Sequence, residues 1–350
     1  MRSWRESILK FSLLSLTLLT LGASSSRLHQ PALNQDFPDP GIVKTPDAWY
    51  YAYATQAITE DKSKKLLNIQ MARSRDLKIW QFLGEALPVK PTWASFTQFF
   101  WAPDVSYHDG TYFMYFSALP DTTEGFCIGV ATSKDPAGPF VDSGEPLICG
   151  PSFTTIDPMS FDDPETGERI LYWGSGFDAI KAQALAEDRI HFQKGTKPIE
   201  VISPTETGDL KDYRRLLEGA WVLQKEGFYY LFTSGDSCCS PAHYAVLVAR
   251  SRSAWGPFEF QAHWQDSLLL QADEQYLAPG HNSVVEDEAG RSWILYHAID
   301  RDHPELADKI PNDRKVRRIL MLQELDWEQG WPRLKESRKN DRSFNELKAQ

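Results

Sequence analysis

Residues 216–235 read LLEGAWVLQKEGFYYLFTSG. At the middle of this stretch, Glu226-Gly227 is a dipeptide that tolerates the positive φ angles of a tight hairpin turn, and the flanking runs are rich in residues that suit pleated strands. The segment is therefore strand, turn, strand, with Glu218 at its head. The same order, a polar or acidic residue, a polar turn and an aromatic run, recurs four more times. Asp39 leads to WYYAYAT (49–55), Asp104 to DGTYFMYFS (109–117), Asp157 to TGERILYWGS (166–175) and His281 to AGRSWILYHA (289–298).

The heads at 39, 104, 157, 218 and 281 are nearly evenly spaced, and each interval suits one four-stranded unit plus loops. An all-β, five-bladed β-propeller is predicted, with the heads of the innermost strands facing one central channel that holds the active site. A β-sandwich with Asp at turn positions is the alternative. Three further segments, LLNIQMARSRDLKIWQFLG (66–84), IGVATSKDPAGPFVDSG (128–144) and AVLVARSRSAWGPFEF (245–260), read as outer strands, and helix content should be low.

The 350 residues are 42% hydrophobic and 13% aromatic, enough for a large core and too much for a disordered chain. A formal charge of -11 argues against nucleic acid, which needs clustered cations, and is compatible with a neutral polymer. MRSWRESILK, then FSLLSLTLLTLGA, then SSS, a basic region, an apolar run and a small-residue exit, reads as a signal peptide over 1–26, and a run shorter than the roughly 20 residues that span a bilayer argues against a permanent anchor. The expected organisation is the signal peptide, a catalytic propeller over 27–332 and a charged tail over 333–350. The product is secreted or periplasmic and free of the membrane after cleavage, and its oligomeric state is left open.

Export makes Cys127, Cys149, Cys238 and Cys239 disulfide candidates with three possible pairings. Cys127 with Cys149 is preferred; a bond between the adjacent Cys238 and Cys239 would be strained, since neighbouring Cα atoms about 3.8 Å apart lie below the usual disulfide range.

Hydrolysing a glycosidic bond takes one carboxylate to activate water and one carboxylic acid to protonate the departing oxygen. Asp39 in FPDPGI (37–42) and Asp157 in TTIDPMSF (154–161) each precede a proline that disfavours helix, and Glu218 is flanked by Leu216, Leu217, Ala220 and Trp221, which should raise its pKa. Taken singly, each is more often a turn or capping residue; together they point to a site.

These segments resemble the family 43 glycoside hydrolases, five-bladed propellers that act by inversion on arabinan, xylan and related polymers. The resemblance covers nearly the whole mature chain. It implies Asp39 as general base, Glu218 as general acid and Asp157 as the carboxylate that modulates pKa and orients. WAPDVSYHDGTYFMYFSA (101–118) implies Trp101 as a sugar-stacking or pocket-lining ring, and GHNSVV (280–285) implies His281 near the channel axis. RKVRRILMLQELDWEQGWP (314–332) implies a substrate-contacting Arg318, with Arg317 as the rival. Phe37 and Ser175 complete the expected substrate-binding set.

No cofactor is required by such chemistry; a structural calcium ion held by His281 is a further expectation. SGDSCCSPAHYAVLVARSRSAWGPF (234–258) resembles arabinan-active members, so an endo-arabinanase or an α-L-arabinofuranosidase is expected. A β-xylosidase, a galactofuranosidase and a non-catalytic carbohydrate-binding propeller are the alternatives. A retaining fructan-active propeller is disfavoured, because Ile-Asp-Pro and Glu-Gly stand where its Arg-Asp-Pro and Glu-Cys motifs would be.

Overall fold

A computed structural model describes residues 30–122, 125–239, 241–306 and 316–335. The expected signal peptide lies outside these residues, as does the tail beyond Lys335. The first strand, β1 (Leu33–Asp36), belongs to the last blade. Blade one holds β2 (Gly41–Lys44), β3 (Tyr50–Ala54), a small hairpin of β4 (Ala57–Ile58) and β5 (Leu66–Leu67), then β6 (Gln70–Ser74) and β7 (Trp80–Glu85). Blade two holds β8 (Phe100–His108), β9 (Thr111–Ala118), β10 (Cys127–Ser133), β11 (Val141–Asp142) and β12 (Ile148–Cys149). Blade three is β13 (Met159–Asp162), β14 (Arg169–Trp173), β15 (Ile180–Ala184) and β16 (Ile199–Ile202). Blade four is β17 (Leu217–Lys225), β18 (Phe228–Ser237), β19 (His243–Ser251) and β20 (Leu268–Leu270). Blade five is β21 (Tyr276–Glu286), β22 (Ser292–Asp300), β23 (Ile319–Glu328) and β24 (Trp331–Leu334), with β1 paired antiparallel to β23. The N-terminal strand thus closes the ring, and β24 carries the propeller past the expected boundary at 332.

Aromatic runs recur because the second strand of every blade is buried on both faces. Tyr51 and Tyr53 pack towards blade two, while Tyr50, Ala52 and Ala54 pack towards blade five. Likewise Ile170 and Tyr172 face blade four, and Leu171 and Trp173 face blade two. Side chains alternate with period two, so each strand feeds two inter-blade cores, and five such cores run round the ring. The expected turns are present: Asp109-Gly110 and Glu226-Gly227 take positive φ at both residues between β8 and β9 and between β17 and β18. The Gly-Pro-Phe motifs staple neighbouring blades, as Phe140 N–H donates to the Ala86 carbonyl and Phe258 N–H to that of Val201.

Cys127 and Cys149 pair across β10 and β12 and are bonded as expected. Cys238 and Cys239 are bonded to each other as well. Closing that bond makes a small ring through the intervening peptide, so the Cα separation of 3.7 Å is set by the peptide unit and not by the range of cross-chain disulfides. Among the described residues no helix is long and apolar enough to cross a membrane.

Candidate active site

Left-handed backbone recurs on every innermost strand, two residues before it at Asp39 (φ 55°) and Asp157 (60°) and within it at Ala102 (46°), Gly219 (60°) and His281 (46°). In blades two, four and five it lies where the pairing with the second strand shifts register, the mark of a β-bulge. Each backbone N–H is satisfied by a side chain. Ala102 donates to Thr55 Oγ1 (2.9 Å), Asp157 to Ser117 Oγ (2.9 Å), His281 to Ser234 Oγ (2.6 Å) and Asp39 to His297 Nδ1 (3.1 Å). These acceptors hold one equivalent place towards the end of each aromatic run. In blade three that place is Gly174, which has no side chain, and Gly219 N–H instead donates to Asp157 Oδ2 (3.0 Å). The missing hydroxyl thereby ties Asp157 to the residue that follows Glu218.

Five structurally equivalent positions therefore converge, though not the five heads read from the sequence. Glu218 sits one residue before its left-handed position. Asp104 sits two residues after its own and accepts from the Ser160 N–H (2.8 Å) and hydroxyl (2.7 Å) of the next blade.

Asp39, Asp157 and Glu218 line one cavity of about 1030 Å³, together with Trp101, Ser175 and Arg318. Asp39 Oδ2 accepts from Thr55 Oγ1 (2.6 Å), and Oδ1 accepts from Arg318 Nη1 (2.7 Å). Burial by itself would raise the pKa of Asp39, but Arg318 foremost, with the His281 and His297 rings, holds it well below the usual carboxylate range. His281 is itself shifted down, chiefly by burial, and burial with Arg318 takes His297 to about 3, so both rings are neutral at pH 7 and Arg318 is the lasting counter-charge.

Glu218 accepts from Ser175 Oγ at Oε2 (2.5 Å) and from the Tyr244 hydroxyl at Oε1 (2.7 Å). Burial outweighs these bonds and raises its pKa. Asp157 is raised well above its ordinary value by burial, then by the charges of Glu218 and Asp39. Of these three carboxyl groups, Asp39 is thus kept ionised and the other two favour their protons. Leu216 lines the cavity, whereas Leu217, Ala220 and Trp221 pack into the blade cores, so burial of the whole site and not that apolar flank lifts Glu218.

Residues 28–332 match the family described as Glycosyl hydrolases family 43. The chain belongs to glycosyl hydrolase family 43. It is a glycoside hydrolase, and its fold is the five-bladed propeller of that family. Over 95% of its length it is 26% identical to the extracellular exo-α-(1→5)-L-arabinofuranosidase of Cellvibrio japonicus, covering 93% of that protein. Identity is also 26% to the extracellular endo-α-(1→5)-L-arabinanase 1 of Bacillus subtilis, over 95% of this chain and 98% of that one. Among solved structures, an exo-1,5-α-L-arabinanase from a bovine ruminal metagenomic library superposes with a TM-score of 0.69 at 25% identity, over 87% of this chain and 98% of that chain.

Within this family 43 propeller, Trp101, Ser175, His281 and Arg318 reach the cavity as the sequence suggests. Phe37 does not: it is fully buried in the core between blades five and one, and its N–H donates to the Arg318 carbonyl beside the β1–β23 pairing. Arg317 is likewise excluded, since its guanidinium binds Glu60 and Asn34 on the outer side. Sequence reading missed Thr55, Tyr244 and His297; Thr55 and His297 share the equivalent place towards the end of the aromatic run, the regularity that marks them.

Calcium seeks six to eight oxygen ligands. Beside His281 stand the unpaired buried Asn282 side chain and Ser283 Oγ, while Asp39 and Asp157 are engaged with Arg318 and Gly219. Among the described residues no three His, Cys, Asp or Glu side chains converge to hold a metal ion. The side chains at His281 therefore do not fit a protein-built calcium cage.

Proposed function

We propose that this chain hydrolyses α-L-arabinofuranosyl linkages of arabinan-type polysaccharide by single-displacement inversion. The observation that carries the reading is the split among three carboxyl groups in one cavity: Asp39 held ionised, Glu218 and Asp157 pushed towards their protonated forms. Asp39 takes a proton from water as the water oxygen bonds to the anomeric carbon. The bond to the departing oxygen breaks, and Glu218 gives that oxygen its proton. Arg318 and Thr55 fix the base. Ser175 and Tyr244 aim the acid, and Asp157, bound to Gly219 N–H, orients the backbone that presents it. Trp101 offers a ring for the apolar face of a sugar.

Support for the substrate comes from the names of the two relatives above, one exo-acting and one endo-acting on α-(1→5)-linked arabinose. Both are named extracellular, which accords with secretion through the leader read over residues 1–26. Replacing Glu218 by Gln should lower turnover of arabinan roughly 10²- to 10⁴-fold, with partial recovery on substrates whose leaving group needs no proton. Asp39→Asn should fail on every substrate. Unchanged turnover of arabinan by Glu218→Gln would remove the acid assignment, and turnover of xylosides or galactofuranosides in place of arabinan would reassign the substrate.

A further inference from the structure

The wall contributed by blade four carries polar groups that the hydrolytic steps do not use. Arg215 lies in a 3-10 turn, Tyr213–Arg215, just before β17, and its side chain lines the cavity. Asp236, nearly fully buried and in left-handed backbone (φ 69°), grips it twice, with Oδ1 accepting from Nη2 (2.7 Å) and Oδ2 from Nε (3.1 Å). Oδ2 also contacts His243 Nδ1 at 2.6 Å, and the His243 ring stacks on Tyr213 with centroids 4.2 Å apart. A charge so clamped has lost its freedom before any ligand arrives. Among the described residues Arg215 Nη1 has no hydrogen bond, and the side chain, which lines the cavity, is about a quarter exposed (27%).

Beside it the Cys238–Cys239 ring also lines the cavity. Cys238 packs against the cluster of Tyr244, Ala278 and Ile299, and the Tyr244 hydroxyl bonds Glu218. The disulfide is therefore an apolar plate next to a fixed donor, both on the side of the proposed acid.

We infer that Arg215 and the Cys238–Cys239 disulfide form the subsite for the sugar on the leaving-group side of the scissile bond. Arg215 Nη1 donates to hydroxyls of that sugar, and the disulfide covers its apolar face. The inference rests on Glu218 being the acid, because the group that protonates the departing oxygen must border the departing sugar. It makes Arg215 a specificity-determining residue that favours oligosaccharides over glycosides with a non-sugar leaving group.

The test compares kcat/KM on a linear arabino-oligosaccharide with that on a nitrophenyl arabinofuranoside for the wild type, Arg215→Ala, Arg215→Lys and the Cys238→Ala/Cys239→Ala double variant. Losing a charged hydrogen bond predicts that the oligosaccharide-to-aryl ratio falls about tenfold or more in Arg215→Ala, mostly through KM, with part of it restored by Lys. The double variant should lower the same ratio. A ratio that stays constant while both rates fall, as misfolding or a purely structural clamp would give, overturns the subsite, and so does a ratio that does not change at all. A wild type that hydrolyses neither substrate fails the proposed function itself, and the subsite with it; wild-type turnover of both with an unmoved ratio fails the subsite alone.

Discussion

Glu218 is held by two neutral donors, Ser175 and Tyr244, that favour its ionised form against a burial that favours its protonated one. Removing one donor should tip that balance. In Tyr244→Phe the pKa of Glu218 rises further, so the acid keeps its proton to higher pH and the alkaline limb of the kcat/KM profile moves upward. The accompanying loss at the optimum should be no more than about tenfold. A limb that moves to lower pH would show that the tyrosine does not act through this carboxyl. At this scale the sequence named the three carboxyl groups, Trp101, Ser175, His281 and Arg318. It misplaced Phe37, because an aromatic beside a catalytic-type Asp looks the same in one dimension whether it turns into the cavity or, as here, into the core between blades.

The bulges of the innermost strands decide where those side chains point. Strands and hairpins were legible because burial on two faces leaves continuous aromatic runs and most of the turns carry a Gly after a small or polar residue. The equivalence of the heads was legible only to within one or two residues, because an inserted residue at Ala102 or Gly219 shifts the register without any signature of composition. Closure by β1 was equally hidden, as a four-residue strand that pairs with Ile319 and Leu320 at the far end of the chain has no local signal. Gly280 in β21 shows how tightly the strands are fitted. A Cβ there would lie 2.0 Å from Tyr244 Cδ1 and 2.2 Å from Cε1, so the ring would have to leave Glu218. Gly280→Ala should therefore cost about 1–3 kcal/mol of stability and lower kcat more than Tyr244→Phe, which keeps the ring in place. Thermal unfolding and steady-state kinetics on the two variants check the order; a fully active Gly280→Ala would contradict it.

The whole ring brings charges together that no single blade could hold, and its stability should depend on pH accordingly. Asp39 has a depressed pKa, so its contribution is present above the ordinary carboxylate range and is lost as pH falls through its folded value. Asp157 has a raised pKa, so the folded state binds its proton more tightly than the unfolded state, and stability falls as pH rises from the ordinary carboxylate range through the folded value. Asp157→Asn should consequently melt at a higher temperature than the wild type at pH 7, with the difference vanishing near pH 4 and below, while its turnover drops by about 10²-fold or more. Equal melting temperatures at pH 7 would mean that Asp157 is not held against its charge. The central claim is that this ring sets a water-activating Asp39 across the scissile bond from a proton-giving Glu218. Proton NMR of linear arabinan during its first turnovers tests it most directly: the newly released reducing end should appear first as the β-anomer and only later mutarotate, whereas initial release of the α-anomer, or no release at all, would contradict the account.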